Sequence, residues 1–557
     1  MKPLPIGVDL FENIVSKNYF YIDKTLFIKE VLALQNEVTL ITRPRRFGKT
    51  LNMSMLKCFF DVTQKKQNLF DGFQIMRYGD IVEKYKNKYP VIFVTLKGVK
   101  EPTFADSMEM LKDLMAKLYR QNQYLYDSDA LSRYQKEDFE KFLSKKATVT
   151  ELKNALEKLT EYLYAYHNKK VIILIDEYDA PIDNAEMEGF YPDMIKFMRG
   201  FFGSSLKTNE YLEFGIVTGV QRIAKEGLFS DLNNPRIYTV LDDKYADYFG
   251  FTEEEVVAAC KMYDTEDSIE EIKTFYNGYH FGQKEIYNPW SILNYLDEKR
   301  LGNYWVNTGS TAILQNIFSK GDIVLKNAVE GLLLDIPVTM QFASHITYPI
   351  KYESTDSFWT LLLNAGYIKP QNNTPVNPDE RFSAQLVNLE VKRAFRICIG
   401  HWFSEQKGYF SQGLHTFIQA LLTGDSNGMQ AALNTKLLIS ASYHDMVAEN
   451  SFHMFILGIL QTLGDEYIIR SNREEGDGRA DCTIRPKDDK TKAAAVMEFK
   501  HVKGDATQDQ IKSEAKEALN QINNKGYIRE MRDEGYINIL KYGIAFNGKN
   551  CIVIAGN

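Results

Sequence analysis

Three consecutive residues, Gly48-Lys49-Thr50, have the types that grip a nucleotide phosphate. Glycine lets backbone amides approach the phosphate oxygens, lysine reaches the β and γ positions, and the threonine hydroxyl ligates Mg2+. They follow the basic stretch 43–47 (RPRRF), which itself follows the β-prone run 38–42 (VTLIT), and a helical pattern continues from Leu51. Strand, loop and helix in that order bring the positive end of a helix dipole onto the bound anion. Arg43 stands where the pattern G-x-x-x-x-G-K-[ST] has its first glycine. Because a basic turn before a helix would share much of this, the half-motif needs support from elsewhere.

Support comes from residues 170–181, KVIILIDEYDAP. A run of apolar residues delivers Asp176 and Glu177 to the carboxyl end of a strand, where open α/β sheets bind ligands. In an ATPase the first acid holds Mg2+ and the second orients the attacking water. A solvated loop would also begin with acids, but here a GKT loop precedes. A third strand-like run, 212–218 (LEFGIVT), ends in Thr218, where a γ-phosphate sensor would stand, and Arg222 follows. Arg222, ahead of Arg199, is the candidate to stabilise the transferred phosphate. The run 90–96 (PVIFVTL) falls between the two motifs in sequence and has the continuous apolar character of a strand covered on both faces.

A second set of chemistry-bearing residues lies near the carboxyl end. Asp481 opens one strand-like run, and Glu498 and Lys500 stand two apart on the next, so their side chains share a face. Two carboxylates that hold one or two Mg2+ ions, with a lysine beside them, are the parts of a metal-dependent phosphodiesterase. Glu449 on the preceding helix could add a third carboxylate, and Gln521 would sit near the site if its helix packs back over the sheet. An E-x-K pair alone is commonplace on a solvated strand. The flanking residues are what favour a site.

The elements around these residues set further expectations. Residues 19–25 form an aromatic strand-like run, with Thr25 placed to cap the helix that follows. Helical patterns cover 105–122 and 138–166, and Thr252 with Glu255 forms a capping box, as does Thr507 with Gln510. The segment 275–296 holds an aromatic turn, in which His280 is expected to pack, and a helix start at Asn288-Pro289-Trp290. Residues 307–367 mix helices with short strands in a winged-helix-like manner, without the basic character of a DNA reader. Residues 370–381, rich in proline and asparagine, read as an exposed hairpin loop or linker.

At 557 residues the chain exceeds one domain, and 44% apolar with 25% charged residues is ordinary for a globular protein. No apolar run of about 18 residues is present, so no membrane span is expected, and the first residues lack a signal-peptide layout. Five scattered cysteines without a C-x-x-C pair fit a reducing cytoplasm better than a disulfide or zinc framework. With a net charge of −7, contact with nucleic acid depends on local basic patches.

Residues 4–240 resemble the AAA-ATPase-like family. The resemblance is carried by YFYIDKT (19–25), TRPRRFGKT (42–50), LIDEYDAP (174–181) and GIVTGVQRIAKEGLFSDLNN (215–234), and YNGY with YNPWS extends it to residue 300. The family commonly has the loop RPRRFGKT, so Arg43 is what the resemblance implies. It also implies that Arg43, Arg45, Arg46, Phe47, Gly48, Lys49, Thr50 and Leu51 form the nucleotide loop. Residues 440–557 resemble the PD-(D/E)xK nuclease superfamily, with Glu449, Asp481, Glu498, Lys500 and Gln521 on its pattern and Ala480 where the name motif has proline.

The expected fold is thus α/β and multidomain. A P-loop NTPase of AAA-like type (1–245) precedes a helical lid and spacer (246–440) and a restriction-endonuclease-like α/β domain (441–557). The expected function is ATP-controlled, Mg2+-dependent cleavage of nucleic acid, DNA before RNA, in the cytoplasm, with self-association left open. The rival is a nucleotide-driven switch or scaffold whose nuclease-like domain only recognises nucleic acid or a partner.

Overall fold

Strands β1 (Val38–Thr42), β3 (Val171–Asp176) and β4 (Leu212–Gly219) are apolar almost throughout, and β1 and β3 are buried at every residue. Such runs suit a parallel sheet covered on both faces. With β2 (Val91–Thr95) and β5 (Pro235–Tyr238) they form an all-parallel sheet in the order β2-β3-β4-β1-β5. One face is covered by helices Phe104–Gln121, Ala155–His167 and Tyr191–Leu206, whose Leu111, Leu159 and Phe201 share an apolar cluster with Ile92, Ile173 and Val217. On the other face Phe60, which ends helix Lys49–Phe60, meets Phe214 of β4 edge-on at 5.6 Å between ring centroids.

The computed structural model describes residues 1–557 apart from 65, 67, 208, 224–233, 306–327, 330, 334–336, 343–354, 372–379, 403–406, 435–452, 454–455, 458, 461–462, 464–465, 476–477, 503–505, 525–526, 548–549 and 557. Packing divides the chain into two compact units, 1–308 with 337–391, and 309–336 with 392–557. The expected middle region, 246–440, is therefore shared between them. No helix of the described residues is long and apolar enough to cross a membrane.

The first unit continues beyond the sheet with helices Glu253–Met262, Ile269–Tyr276 and Pro289–Glu298, joined in an apolar cluster by Val256, Cys260, Tyr276 and Ile292. Thr252 and Glu255 make the expected capping box, and Asn288 caps the helix that begins at Pro289. The hairpin β6 (Tyr279–Phe281) and β7 (Lys284–Ile286) lies between these helices in sequence. Its His280 is packed into the turn, with Nδ1 3.0 Å from the Gly278 carbonyl. Strands β8 (Val338–Gln341), β9 (Ile368–Pro370) and β10 (Arg381–Leu386) form a small antiparallel sheet in the order β8-β10-β9, beside helix Thr355–Ala365.

Several local expectations are corrected. Residues 19–24 form no strand; the Phe20 amide bonds the Pro3 carbonyl, and Asp23 and Lys24 are tied by their side chains instead. Thr25 holds the N-cap position of helix Leu26–Leu34, but its hydroxyl donates to Asp23 and accepts from the Ile75 amide, so it does not cap. The pattern over 138–166 breaks into three helices, because Thr148 and Glu151 close a capping box of their own. Strand β2 lies at the sheet edge with alternating burial, having a partner on one side only.

In the second unit, strands β11 (Tyr467–Glu475), β12 (Gly478–Pro486), β13 (Ala494–His501), β14 (Ile539–Asn547) and β15 (Asn550–Gly556) lie side by side in chain order. All pairs are antiparallel except β13 with β14. That parallel step needs a crossover, and helix Gln508–Asn524 lies in it. The helix buries Ile511, Ala515, Ala518 and Ile522, the face its periodicity marks. Thr507 and Gln510 cap it reciprocally as expected. At Gly543 of β14 an added Cβ would stand 2.1 Å from the Ala515 carbonyl oxygen and 2.5 Å from the Leu519 amide nitrogen. The helix can approach the sheet this closely only over glycine.

Candidate functional site

The loop after β1 holds its shape through side chains that turn inward. The Arg43 guanidinium is fully buried. It donates to the carbonyls of Thr42 (2.8 Å), Thr239 (2.6 Å) and Lys244 (3.1 Å) and lies over the rings of Phe281 and Phe249. Arg43 belongs to the loop by its backbone, whereas its side chain cements the loop to the segment after β5. Phe47 is likewise buried, edge-on to Tyr279 and Phe281. Gly48 has φ of 81°, a left-handed geometry that glycine adopts freely, and Arg46 has φ of 71° without that freedom.

Helix Lys49–Phe60 starts at the lysine. The Lys49 Nζ donates to the carbonyls of Arg43 and Pro44 at 3.1 and 3.0 Å, across its own loop. Burial lowers its pKa, opposed by the nearby Glu177, Asp176 and Asp179 charges. Thr50 donates to the Asp176 carboxylate at 2.8 Å. Thr218 at the end of β4 donates to the other oxygen at 2.8 Å, and Thr95 of β2 approaches at 3.3 Å. Three hydroxyls from separate elements thus converge on one fully buried acid, whose pKa is raised chiefly by desolvation while the Thr218 and Thr50 bonds oppose the rise. Hydroxyl and carboxylate oxygens are the donors a hard divalent cation takes, so Thr50 and Asp176 fit Mg2+.

Glu177 has φ of 53°. A non-glycine residue held there stores strain of the kind that clusters at functional sites. The next two residues were not singled out by sequence. Asp179 is buried and accepts from the amides of Val220 and Gln221 at 2.7 Å each, and Tyr178 donates to the Gln221 carbonyl at 2.7 Å. Together they clamp the segment after Thr218. Their signal was a third acid inside the same motif, IDEYD.

A cavity of about 290 Å3 opens over this loop, near the lower end of the range for small-ligand sites. Its lining includes Arg45, Arg46, Phe47, Gly48, Lys49, Thr50, Leu51 and Glu177, all anticipated. It also includes Val8, Phe20 and Ile22 of the amino-terminal segment, Lys97 and Lys100 after β2, and Trp290 of helix Pro289–Glu298. Thr218 reaches the site through Asp176, while neither Arg222 nor Arg199 is among the lining residues. Lys24 lies at the cavity, held by Glu255 at 2.7 Å and by the Asp247 carbonyl at 2.6 Å.

In the second unit, Asp481 on β12 and Glu498 on β13 come together across the hairpin. The Asp481 amide donates to Glu498 at 3.3 Å, and the Asp481 carboxylate accepts from the Phe499 amide at 2.7 Å. Gln521 donates to the other Glu498 oxygen from helix Gln508–Asn524. Glu498 is buried, and Lys500 is half-buried two residues along. Glu449 lies outside the described residues. Among the described residues no group of three or more His, Cys, Asp or Glu could hold a metal ion. Asp481 and Glu498 are an oxygen-donor pair that fits a divalent cation, with room in the chemistry for a further ligand.

Comparison with known proteins agrees with both halves. Residues 5–229 match the family model described as predicted AAA-ATPase, and residues 447–556 match that of the PD-(D/E)XK nuclease superfamily. An AAA-ATPase-like domain and a PD-(D/E)XK nuclease superfamily domain are therefore present in one chain. A relative described as "Uncharacterized protein in vnfD 5'region", from Azotobacter chroococcum mcd 1, is 24% identical over 543 residues, 96% of this chain and 94% of its own.

Proposed function

We propose that this protein binds and hydrolyses ATP in its first unit and cleaves nucleic acid in its second, with the ATP state gating cleavage. The observation that carries the reading is the convergence of Thr50 and Thr218 on buried Asp176, beside Lys49 and Glu177, at the carboxyl end of a parallel sheet. In this reading Lys49 gives up the Arg43 and Pro44 carbonyls for the β and γ phosphates. Glu177 orients the attacking water and accepts its proton, and Thr218 holds Asp176 in place. The glycine-turned amides at Gly48 cradle the phosphate oxygens at the helix start. In the second unit Asp481 and Glu498 are the metal holders, Gln521 orients Glu498, and Lys500 positions the attacking water and offsets developing charge. Bound by Thr50 and Asp176, and by Asp481 with Glu498, Mg2+ supplies charge neutralisation on phosphate and, at the second site, a more acidic water.

DNA is the substrate expected before RNA, and the cytoplasm the expected compartment. The test is incubation of the full-length protein with plasmid, linear DNA and RNA, with Mg2+ or Mn2+, with and without ATP. Metal-dependent cleavage by wild type that Lys500→Ala loses at least 100-fold is expected. Equal and negligible cleavage by both would sink the nuclease reading. The alternative is that the nuclease-like unit recognises nucleic acid without cutting it. Metal-independent retention of DNA by both proteins would support that reading.

A further inference from the structure

Arg222 and Arg199, the arginines expected from sequence, do not line the cavity. Six cationic side chains do: Lys24, Arg45, Arg46, Lys49, Lys97 and Lys100. Lys24 is committed to Glu255 and to the Asp247 carbonyl, and Lys49 has the P-loop lysine's own role. Lys97 and Lys100 are exposed on the loop after β2. Arg46 differs from them in how it is presented. Its backbone is held at φ 71°, and the next residue, Phe47, is locked against Tyr279 and Phe281 at 4.9 and 5.1 Å. The preceding carbonyl, of Arg45, accepts from Trp305 Nε1 at 3.2 Å. A strained conformation kept by its neighbours at a ligand site points to use.

The Arg46 guanidinium lies 4.3 Å from the centre of the Trp290 ring, and both residues line the cavity. Trp290 is itself fixed: its Nε1 donates to the Tyr304 carbonyl at 3.0 Å and its amide to Asn288 at 2.9 Å. An exposed cation–π stack is weaker than a charge-assisted, two-pronged bond to phosphate. Phosphate therefore outcompetes Trp290 for this side chain.

We infer that Arg46 is the arginine that neutralises the terminal phosphate during its transfer, supplied by the P-loop itself and held over Trp290 until nucleotide arrives. The inference rests on the ATP-hydrolysis reading above. In the step it serves, a water oxygen bonds the γ-phosphorus as the bond from that phosphorus to the β–γ bridging oxygen breaks. The electron pair leaves with ADP, and the water's proton passes to Glu177 and on to solvent. Arg46 neither gives nor takes a proton; its fixed charge meets the charge that develops on the phosphoryl oxygens.

The experiment is ATP hydrolysis, equilibrium binding of MgATP and tryptophan emission on the full-length chain. Arg46→Ala is expected to lower kcat about 100- to 1,000-fold and to weaken MgATP binding about tenfold, the surplus of the phosphate bond over the Trp290 stack. Arg46→Lys, which keeps charge without the planar fork, should fall between. Adding ATP should change tryptophan emission in wild type, and Trp290→Phe should abolish that change. A kcat for Arg46→Ala within threefold of wild type, with Lys49→Ala inactive, overturns this inference and leaves the ATPase reading standing. Wild type that neither binds nor hydrolyses ATP overturns both. Should Arg46→Ala not fold, Arg46→Lys at the full wild-type kcat is the refuting result.

Discussion

Glu390 is a carboxyl with no exposure to water, bonded by the Ser291 hydroxyl at 2.8 Å and the Trp305 amide at 2.7 Å. Trp305 in turn bonds the Arg45 carbonyl of the loop after β1, so this acid supports the loop from behind. Burial raises its pKa from 4.5 to about 7, against the lowering effect of the Trp305, Ser291 and Tyr304 donors. A carboxyl whose pKa is higher folded than unfolded stabilises most when protonated. Its contribution is complete below pH 4.5 and lost as pH climbs through about 7. Glu390→Gln keeps an acceptor for the Trp305 amide and has no charge to bury. The variant should gain on wild type between those pH values, by at most roughly 3 kcal/mol. Urea unfolding of both proteins at pH 5 and pH 8 checks this, and parallel pH dependence of the two would refute it.

The same scale shows what single residues announce in a sequence. Lys49, Thr50, Asp176 and Glu177 were legible because phosphate and metal chemistry restricts residue type at fixed positions around a strand end. Asp481, Glu498 and Lys500 were legible through spacing on paired strands. Arg43, placed in the loop by the resemblance, lies there by its backbone, yet its guanidinium is spent on backbone carbonyls, among them those of Thr42, Thr239 and Lys244. The clamp that Asp179 makes and the Arg46–Trp290 stack were not legible as contacts, because their partners lie 41 or more residues away and only the fold brings them close.

Between residue and molecule, the elements that carry the sites were read from periodicity more reliably than their edges. The buried strands β1, β3 and β4 are dominated by apolar and β-branched side chains, so their identity was plain. Edge strand β2 looked the same, since composition does not say how many neighbours a strand has. The break of 138–166 into three helices needed the Thr148–Glu151 capping box, which the longer pattern hid. The role of helix Gln508–Asn524 depends on a contact that no pattern shows, its close approach to Gly543. Because the atoms in the way are the backbone of the helix, a methyl at that position cannot be accommodated by a side-chain rotation. Gly543→Ala should therefore push the helix off the sheet at a cost of about 1–3 kcal/mol and carry Gln521 away from Glu498. Metal-dependent DNA cleavage should fall while ATP binding by the first unit stays intact. Unchanged urea stability together with unchanged cleavage would contradict that account of the helix.

At the scale of the whole chain, the two units are tied by the polypeptide at three points, 308–309, 336–337 and 391–392. A nucleotide-driven change in one unit thus has more than one covalent route to the other. Gating by binding and gating by turnover make different demands. A ligand shifts an equilibrium only by its differential affinity for the two states. Even a fully selective ATP at 100 times its Kd supplies about 2.7 kcal/mol, a roughly 100-fold ceiling on the change in cleavage. Turnover has no such ceiling but requires Glu177 to work. We expect gating by the bound state, because in the reading above Lys49 exchanges the Arg43 and Pro44 carbonyls for phosphate on binding, before any chemistry. Glu177→Gln, which binds ATP and does not hydrolyse it, should then cleave DNA at or above the wild-type ATP-stimulated rate. Lys49→Ala should stay at the ATP-free rate. If Glu177→Gln with ATP instead matches Lys49→Ala, the nuclease follows hydrolysis and binding alone is silent. If all three proteins cut alike with and without ATP, the two sites act independently and the gating proposal falls.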